Sequence, residues 1–382
     1  MSNNENETES ILLVDDNPTN LQVLFQTLEG RGYKLLIAKN GETALSISQK
    51  AHPDLILLDI MMPGIDGFEV CSRLKGDPST KDIPVIFLSA LDETADKVKG
   101  LQVGAVDYVS KPFQPEEVIA RVNTQLTIHR LSKEVQSQRD QLEHELEIVS
   151  EVQRDLLPAQ LPEIEGIELG VYYETSRYAG GDYYDIINIS DNQWGILVAD
   201  AEGHGAPAAV MMAMTCALFR ASPNFSAEPD AVLSYLNQHL CNVNEASFVT
   251  AIYVVYDADE RTIRIARAGH PLPIIYSVSE NKALKFPTKG VPPLGIDAYN
   301  QVPVAETRLE RGDRLLLFTD GVSERFNKEG KIYGEDQLLK QLEMDQAREP
   351  EAILNGIMKD VEQFADGEPA EDDQALLIGV VD

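Results

Sequence analysis

The chain has 382 residues, with 63 acids against 32 bases and a formal charge of −31. That length predicts two domains rather than one core, and the acid excess would repel nucleic-acid phosphates, which argues against DNA or RNA as a direct partner. With 43% hydrophobic and 25% charged residues and no apolar run of membrane-spanning length, the composition is that of a soluble globular protein with no membrane partner. Cys71, Cys216 and Cys241 stand far apart among apolar neighbours in no metal-binding spacing, and read as buried free thiols of a reducing cytoplasm. The polar, acidic residues 1–9 read as a disordered N-terminus without the marks of a signal peptide.

Residues 10–125 alternate short apolar runs with amphipathic stretches. Ile11–Val14, Tyr33–Ala38, Leu55–Leu58, Val85–Ser89 and Asp107–Val109 read as strands, and Leu21, Leu24, Phe25 and Leu28 share one helical face. Asp16 and Asn17 before Pro18 mark a helix start, because proline suits the first helical position. Five strands alternating with helices predict an α/β domain with a parallel sheet covered on both faces. Ligands of such sheets bind beyond the carboxyl ends of the strands, and Asp15, Asp16, Asp59, Ser89 and Lys111 all fall there. Three converging carboxylates need a cation, and oxygen ligands favour Mg2+. A carboxylate held there can attack a phosphoryl group, whose oxygens Lys111 and Ser89 would hold. Taken singly, each of these residues also reads as a turn or cap.

Jointly they resemble the receiver domain of bacterial two-component response regulators across residues 10–125. The matching pieces are Val14-Asp15-Asp16, Leu58-Asp59-Ile60-Met61-Met62-Pro63-Gly64-Ile65-Asp66-Gly67, Ser89-Ala90 and Lys111-Pro112-Phe113. The resemblance implies a flavodoxin-like (βα)5 fold with Asp59 as phosphoacceptor. It implies Mg2+ bound by Asp16, Asp59 and the Met61 carbonyl with Asp15 in support, and Ser89 and Tyr108 as switch positions beside Lys111. It also implies a cis Lys111–Pro112 bond, and a sensor histidine kinase or phosphotransfer protein as partner.

Residues 126–157 read as a helical linker. No glycine or proline occurs from 118 to 157, and Ile128, Val135, Leu142, Val149 and Leu156 recur every seven residues. The companion positions are mixed: Leu131 and Val152 are apolar, Gln138 and Glu145 are not. This is a half-formed coiled-coil seam through which two copies would form a homodimer; a long helix packed on its own domains is the alternative.

Residues 158–382 read as an α+β domain. Glu168–Tyr173, Trp194–Ala199, Phe248–Tyr256, Thr262–Ala268, Leu272–Tyr276, Arg314–Phe318 and Ala375–Val381 are β-type runs. Helical stretches lie near 206–220, 229–243, 335–343 and 350–364. Aspartates recur at the lips of these strands. Asp182 sits in Gly180-Gly181-Asp182-Tyr183-Tyr184-Asp185, Asp200 ends an apolar run, Asp320 precedes Gly321, and Asp372 and Asp373 precede the final strand. An Asp-Gly pair after a strand is also an ordinary turn. Gly-Gly-Asp-Tyr-Tyr further resembles a turn of bacterial cyclic-dinucleotide synthases, but that reading lacks the glutamate at its fourth place and leaves Asp320 and Asp372 without a purpose.

In this order the four motifs resemble the PPM family of metal-dependent serine/threonine phosphatases, most of all its bacterial SpoIIE/RsbU-like branch, from about Glu151 to Asp382. Val152-Gln153-Arg154-Asp155-Leu156-Leu157-Pro158, Arg267-Ala268-Gly269-His270-Pro271 and Pro293-Leu294-Gly295-Ile296 belong to the likeness. It implies an α-β-β-α sandwich of two antiparallel sheets flanked by helices. It implies Asp182 and Asp200, with the Ala201 carbonyl, on one metal, and Asp200, Asp320 and Asp372 on a second, Mn2+ or Mg2+ in each case. Asp373 is the lesser candidate of its pair, and His204 is read as a helix-start residue rather than a proton shuttle. His270 is read as a packing residue, and Glu202 departs from the serine common in the branch. The implied substrate is a phosphoserine or phosphothreonine protein, an anti-sigma-factor antagonist of a partner-switching pathway. A phosphorylation-gated adaptor that binds a regulator without catalysis is the alternative from another functional class.

Overall fold

The computed structural model describes residues 8–89, 100, 102–176, 179–222, 226–241, 243, 247–299, 301–345 and 347–382. Ala90 and most of the N-terminal stretch 1–9 lie outside the described residues. The chain divides into two compact units at Asp140 and Gln141.

In the first unit, strands β1 (Ser10–Val14), β2 (Lys34–Ala38), β3 (Leu55–Asp59), β4 (Val85–Ser89) and β5 (Asp107–Ser110) form a parallel sheet in the order β2-β1-β3-β4-β5. That is the flavodoxin-like order. The helices begin where short polar side chains satisfy the free N–H groups of a first turn. Asn17 caps α1 (Pro18–Leu28), Asn40 caps α2 (Gly41–Ala51) and Asp66 caps α3 (Gly67–Gly76). Each face of the sheet is covered. Leu12, Val14, Ile56 and Leu58 pack with residues of α2 and α3, while Ile11, Leu13, Leu55 and Leu57 pack with α1 and with Val118, Val122 and Leu126.

Those last three residues belong to α4, a single helix of 42 residues over Pro115–Leu156. The boundary expected between 125 and 126 falls inside it, with no break in secondary structure. Ile128, Val135 and Leu142 of the seven-residue pattern and the companion Leu131 are exposed, whereas Leu156 packs against a core of the second unit. No helix among the described residues is long and apolar enough to cross a membrane.

The second unit holds two five-stranded sheets. One runs β13-β10-β9-β8-β7, the other β12-β11-β14-β15-β6, and every pairing is antiparallel. The first comprises β7 (Asp182–Ser190), β8 (Gln193–Ala201), β9 (Val249–Asp257), β10 (Thr262–Ala268) and β13 (Val304–Arg308). The second comprises β6 (Ile167–Glu174), β11 (Ile274–Ser277), β12 (Lys282–Lys285), β14 (Arg314–Phe318) and β15 (Gln374–Val381). Alternation along each strand sends one set of side chains inward and the other outward. Ile196, Val198, Ile252 and Val254 thus meet Leu315, Leu317 and Leu377 between the sheets. The outer face of the first sheet packs α5 (Ala206–Arg220) and α6 (Pro229–Leu240). The outer face of the second packs α8 (Glu335–Met344) and α9 (Pro350–Ala365), with the one-turn helix α7 (Asp320–Ser323) between β14 and α8. The result is the α-β-β-α sandwich expected. Three strands escape the sequence reading. β7 carries polar residues where an apolar run is sought, β12 is four residues with a lysine at each end, and β13 alternates exposed residues along an edge.

Ile252 is fully buried between the sheets. Ile252→Ala should lower stability by about 2–5 kcal/mol through the lost contacts and the residual cavity, measured as the shift in urea midpoint of the second unfolding transition.

Candidate functional site

In the first unit the carboxyl ends of β1 and β3 bring Asp15, Asp16 and Asp59 together, with ligand oxygens within 4.8 Å of one another. Asp15 is fully buried and aimed by its neighbours: its Oδ1 accepts the Asn17 N–H at 2.9 Å, and Asn20 Nδ2 donates to both oxygens. Lys111 Nζ lies 2.8 Å from Asp15 and 2.9 Å from Asp59. Burial raises the Asp59 pKa above the ordinary carboxylate value, and the Lys111 ammonium works against that rise. Gly67, at the start of α3, permits close packing there, since a Cβ would stand 2.3 Å from the Asp59 carbonyl oxygen. The Lys111–Pro112 bond is cis. Met61 follows Asp59 by two residues, Ser89 ends β4 nearly buried, and Tyr108 lies in β5 with the Arg121 guanidinium 5.3 Å from its ring centre. An all-oxygen set with a lysine beside it suits a hard divalent cation and a phosphoryl group.

In the second unit the aspartates come from both sheets. Asp182 opens β7 and stands directly opposite Asp200 in β8, so the two side chains share one side of the sheet. From the other sheet, Asp320 follows β14 at the start of α7, and Asp372 precedes β15. Their approach depends on missing side chains. A Cβ on Gly181 would lie 2.3 Å from the Ala201 carbonyl oxygen and 3.1 Å from Asp200 Oδ1, and one on Gly321 would lie 1.9 Å from the Asp373 carbonyl oxygen. Thr319, unremarked in the sequence, ties the sheets together: it takes the Ala375 N–H at 2.9 Å and donates its hydroxyl to Asp182 Oδ2 at 2.7 Å.

Asp372 and Asp373 part company here. Asp373 is buried, and its oxygens accept the N–H groups of Ser176 at 2.9 Å and Gly181 at 2.7 Å. Asp372 is exposed at the rim, with Asp320 and Asp200 half-buried inside it. Glu202 and His204 are both exposed, and α5 starts with no side-chain cap. His270 is buried with Nδ1 2.8 Å from the hydroxyl of Thr250, the residue opposite Asp200 in β9. Burial, with the Arg267 charge adding to it, pushes its pKa down to about 3, so the ring is neutral.

Charge dominates this site. Burial first, then Asp320 and Asp372, raises Asp200 to about 8. Burial, then Asp372, raises Asp320 to about 6, and burial with Asp200 raises Asp182 well above its ordinary value. Among the described residues, no ion pair engages any of the four. An all-carboxylate set with a carbonyl alongside fits Mg2+ or Mn2+. Among the described residues only the receiver trio brings three ligand oxygens within 4.8 Å of one another.

Two family models match the chain: a response regulator receiver domain over residues 11–123, and Stage II sporulation protein E (SpoIIE) over residues 190–381. The probable transcriptional regulator ycf27 of Porphyra purpurea is 45% identical over 122 residues, which are 32% of this chain and 49% of that protein. The chain thus spans about half the length of this curated relative. Among solved structures, the SiaA-PP2C domain of Pseudomonas aeruginosa superposes with a TM-score of 0.56 at 21% identity, covering 64% of this chain and 98% of that one. The PP2C phosphatase domain with a regulatory fragment of the cell-fate determinant SpoIIE from Bacillus subtilis gives 0.51 at 17%, covering 58% and 64%. At these identities the likeness is one of fold.

The raised acids give a pH signature. Asp200 holds its proton more tightly folded than unfolded, so that contribution to stability is complete below the ordinary carboxylate pKa and is lost as pH rises through about 8. A cation needs the ionised form. The melting temperature of metal-free protein should therefore fall between pH 6 and 8.5, while the increase on adding Mn2+ grows over the same range. Scanning fluorimetry of the wild type against Asp200→Asn checks this; equal pH dependence in the two proteins contradicts it.

Proposed function

The chain belongs to the SpoIIE family, and on that premise we propose that it is a metal-dependent phosphoserine/phosphothreonine protein phosphatase controlled by phosphorylation of Asp59. The observation that carries this reading is the meeting of Asp182 and Asp200 from one sheet with Asp320 and Asp372 from the other, next to the Ala201 carbonyl and, among the described residues, with no ion pair to any of the four. In this reading residues 10–125 are the receiver, 126–157 the linker and 158–382 the phosphatase.

Asp182, Asp200 and the Ala201 carbonyl hold one cation, and Asp200, Asp320 and Asp372 hold the other. When bound, the two cations supply an activated water and positive charge facing the phosphoryl oxygens. The chain supplies the geometry. Thr319 fixes one oxygen of Asp182, Gly181 lets the Ala201 carbonyl come close, and Asp373 spends both oxygens on backbone N–H groups. Asp373 is therefore a brace, and the ligand of the pair is Asp372. Neither His204 nor Glu202 is needed for the chemistry.

In the receiver, Asp16, Asp59 and the Met61 carbonyl hold Mg2+, Asp15 supports them, and Lys111 meets the phosphoryl oxygens, with Ser89 and Tyr108 as the switch. Phosphorylation adds close to two negative charges at Asp59, which shifts the receiver between two states. The partners in this reading are a sensor histidine kinase or phosphotransfer protein, and an anti-sigma-factor antagonist as substrate. Two copies pair through the exposed apolar positions of α4, Ile128, Val135 and Leu142.

The purified chain with Mn2+ should release phosphate from a phosphoserine-bearing antagonist. Asp200→Asn should reduce that rate by about 100-fold or more, as loss of a charge-stabilising group does, while still binding the substrate. Asp59→Asn should keep basal turnover and lose any response to a small phosphodonor. No Mn2+-dependent release, with or without the phosphodonor, would end the enzyme reading and favour an adaptor.

A further inference from the structure

Between Leu126 and the end of α4, one residue is buried, and it is polar. Gln153 is 4% exposed, while its neighbours Glu151, Val152, Arg154 and Asp155 are exposed. A carboxamide in that setting is costly unless both ends are bonded. Both are: Nε2 donates to the Gly180 carbonyl at 2.7 Å, and Oε1 accepts the Gly180 N–H at 3.1 Å. The side chain thus serves Gly180 as a neighbouring strand would, two residues before β7 begins.

Gly181 is held in the same way from other elements. Its N–H goes to Asp373 and its carbonyl accepts the Ala201 N–H at 3.1 Å. Asp182 comes next. A second tie lies one turn further along the helix: Arg220 donates from Nη2 to the Leu156 carbonyl at 2.7 Å and from Nε to Asp185 of β7 at 2.8 Å. Helix α4 is therefore tied to the chain on both sides of Asp182, directly at Gly180 and through Arg220 at Asp185.

We infer that Gln153 is a positioning residue for the metal centre, whose carboxamide holds the Gly180–Gly181 turn so that Asp182 faces Asp200 at ligand distance from a shared site. The inference rests on the phosphatase reading. It requires a side chain that donates and accepts at once. Glutamate keeps the length and the acceptor but sets a second oxygen against the Gly180 carbonyl. Leucine fills the space and leaves two buried peptide groups unbonded.

The test uses the full chain as wild type, Gln153→Glu and Gln153→Leu. Mn2+ binding is measured by calorimetry, phosphate release is measured against Mn2+ concentration, and the melting temperature is recorded for each. The receiver site, remote in sequence from the substitution, serves as the internal reference for binding. Gln153→Leu should weaken Mn2+ binding at the second site and raise the Mn2+ needed for half-maximal release, each by about tenfold or more, the usual effect of losing a group that orients a ligand. Gln153→Glu should fall between it and the wild type, and carries the test if the leucine variant does not fold. The rate at saturating Mn2+ should stay within about threefold, since the ligands themselves are intact. If the Mn2+ curves of the folded variants superpose on the wild type, even with a lowered melting temperature, Gln153 only packs and the inference is overturned. If the wild type itself shows no Mn2+-dependent release, it is the phosphatase reading that has failed.

Discussion

Asp182 and Asp200 face one another across paired strands, with Asp320 and Asp372 brought up to them from a second sheet. Burial first, and then the repulsion of like charges so placed, raises Asp200 to about 8, so that it holds its proton near neutrality. The arrangement is stable with its carboxylates ionised only when positive charge is added. Much of the surrounding structure serves to keep these groups together despite that cost. Gly181 and Gly321 remove the atoms that would hold the strands apart, Thr319 donates to Asp182, and Asp373 draws the Gly181 N–H inward. The sandwich core of Ile252, Leu317 and Leu377 provides the rigid base on which strand ends from different sheets can be aimed at one point.

The receiver meets the same problem with a different balance. Its three aspartates are more tightly drawn, but Lys111 stands within ion-pair distance of two of them and offsets part of their charge. The second set has no ion-paired lysine among the described residues, and its mutual repulsion is left without a built-in counter-charge. That contrast in built-in charge, rather than the count of carboxylates, separates the two acidic sites of this chain. Helix α4 supplies Val118, Val122 and Leu126 to the core of the first unit and Leu156 to a core of the second.

What was legible in the sequence follows from what sequence patterns encode. Continuous apolar runs such as Leu55–Leu58 and Leu315–Phe318 mark the central strands, and Asp59 and Asp320, just past them, mark the candidate sites. β7 has no sequence signal because its Asp-Tyr-Tyr-Asp start offers no apolar run; its burial comes from pairing with β8 and from helix α5. Asp372 and Asp373 are chemically alike, and only the fold distinguishes a carboxylate at the rim from one spent on Ser176 and Gly181. Gln153 gave no local signal either. In a helix otherwise rich in exposed polar residues, nothing but the placement of Gly180 separates it from Gln136 or Gln141.

The central claim, that these aspartates share two cations, is tested most directly by anomalous diffraction at the manganese edge from crystals of the chain grown with Mn2+. The account predicts two neighbouring peaks in the second unit, both within coordination distance of Asp200, one also beside Asp182 and the Ala201 carbonyl, the other beside Asp320 and Asp372. A single peak, or none, between those carboxylates at saturating Mn2+ would contradict it.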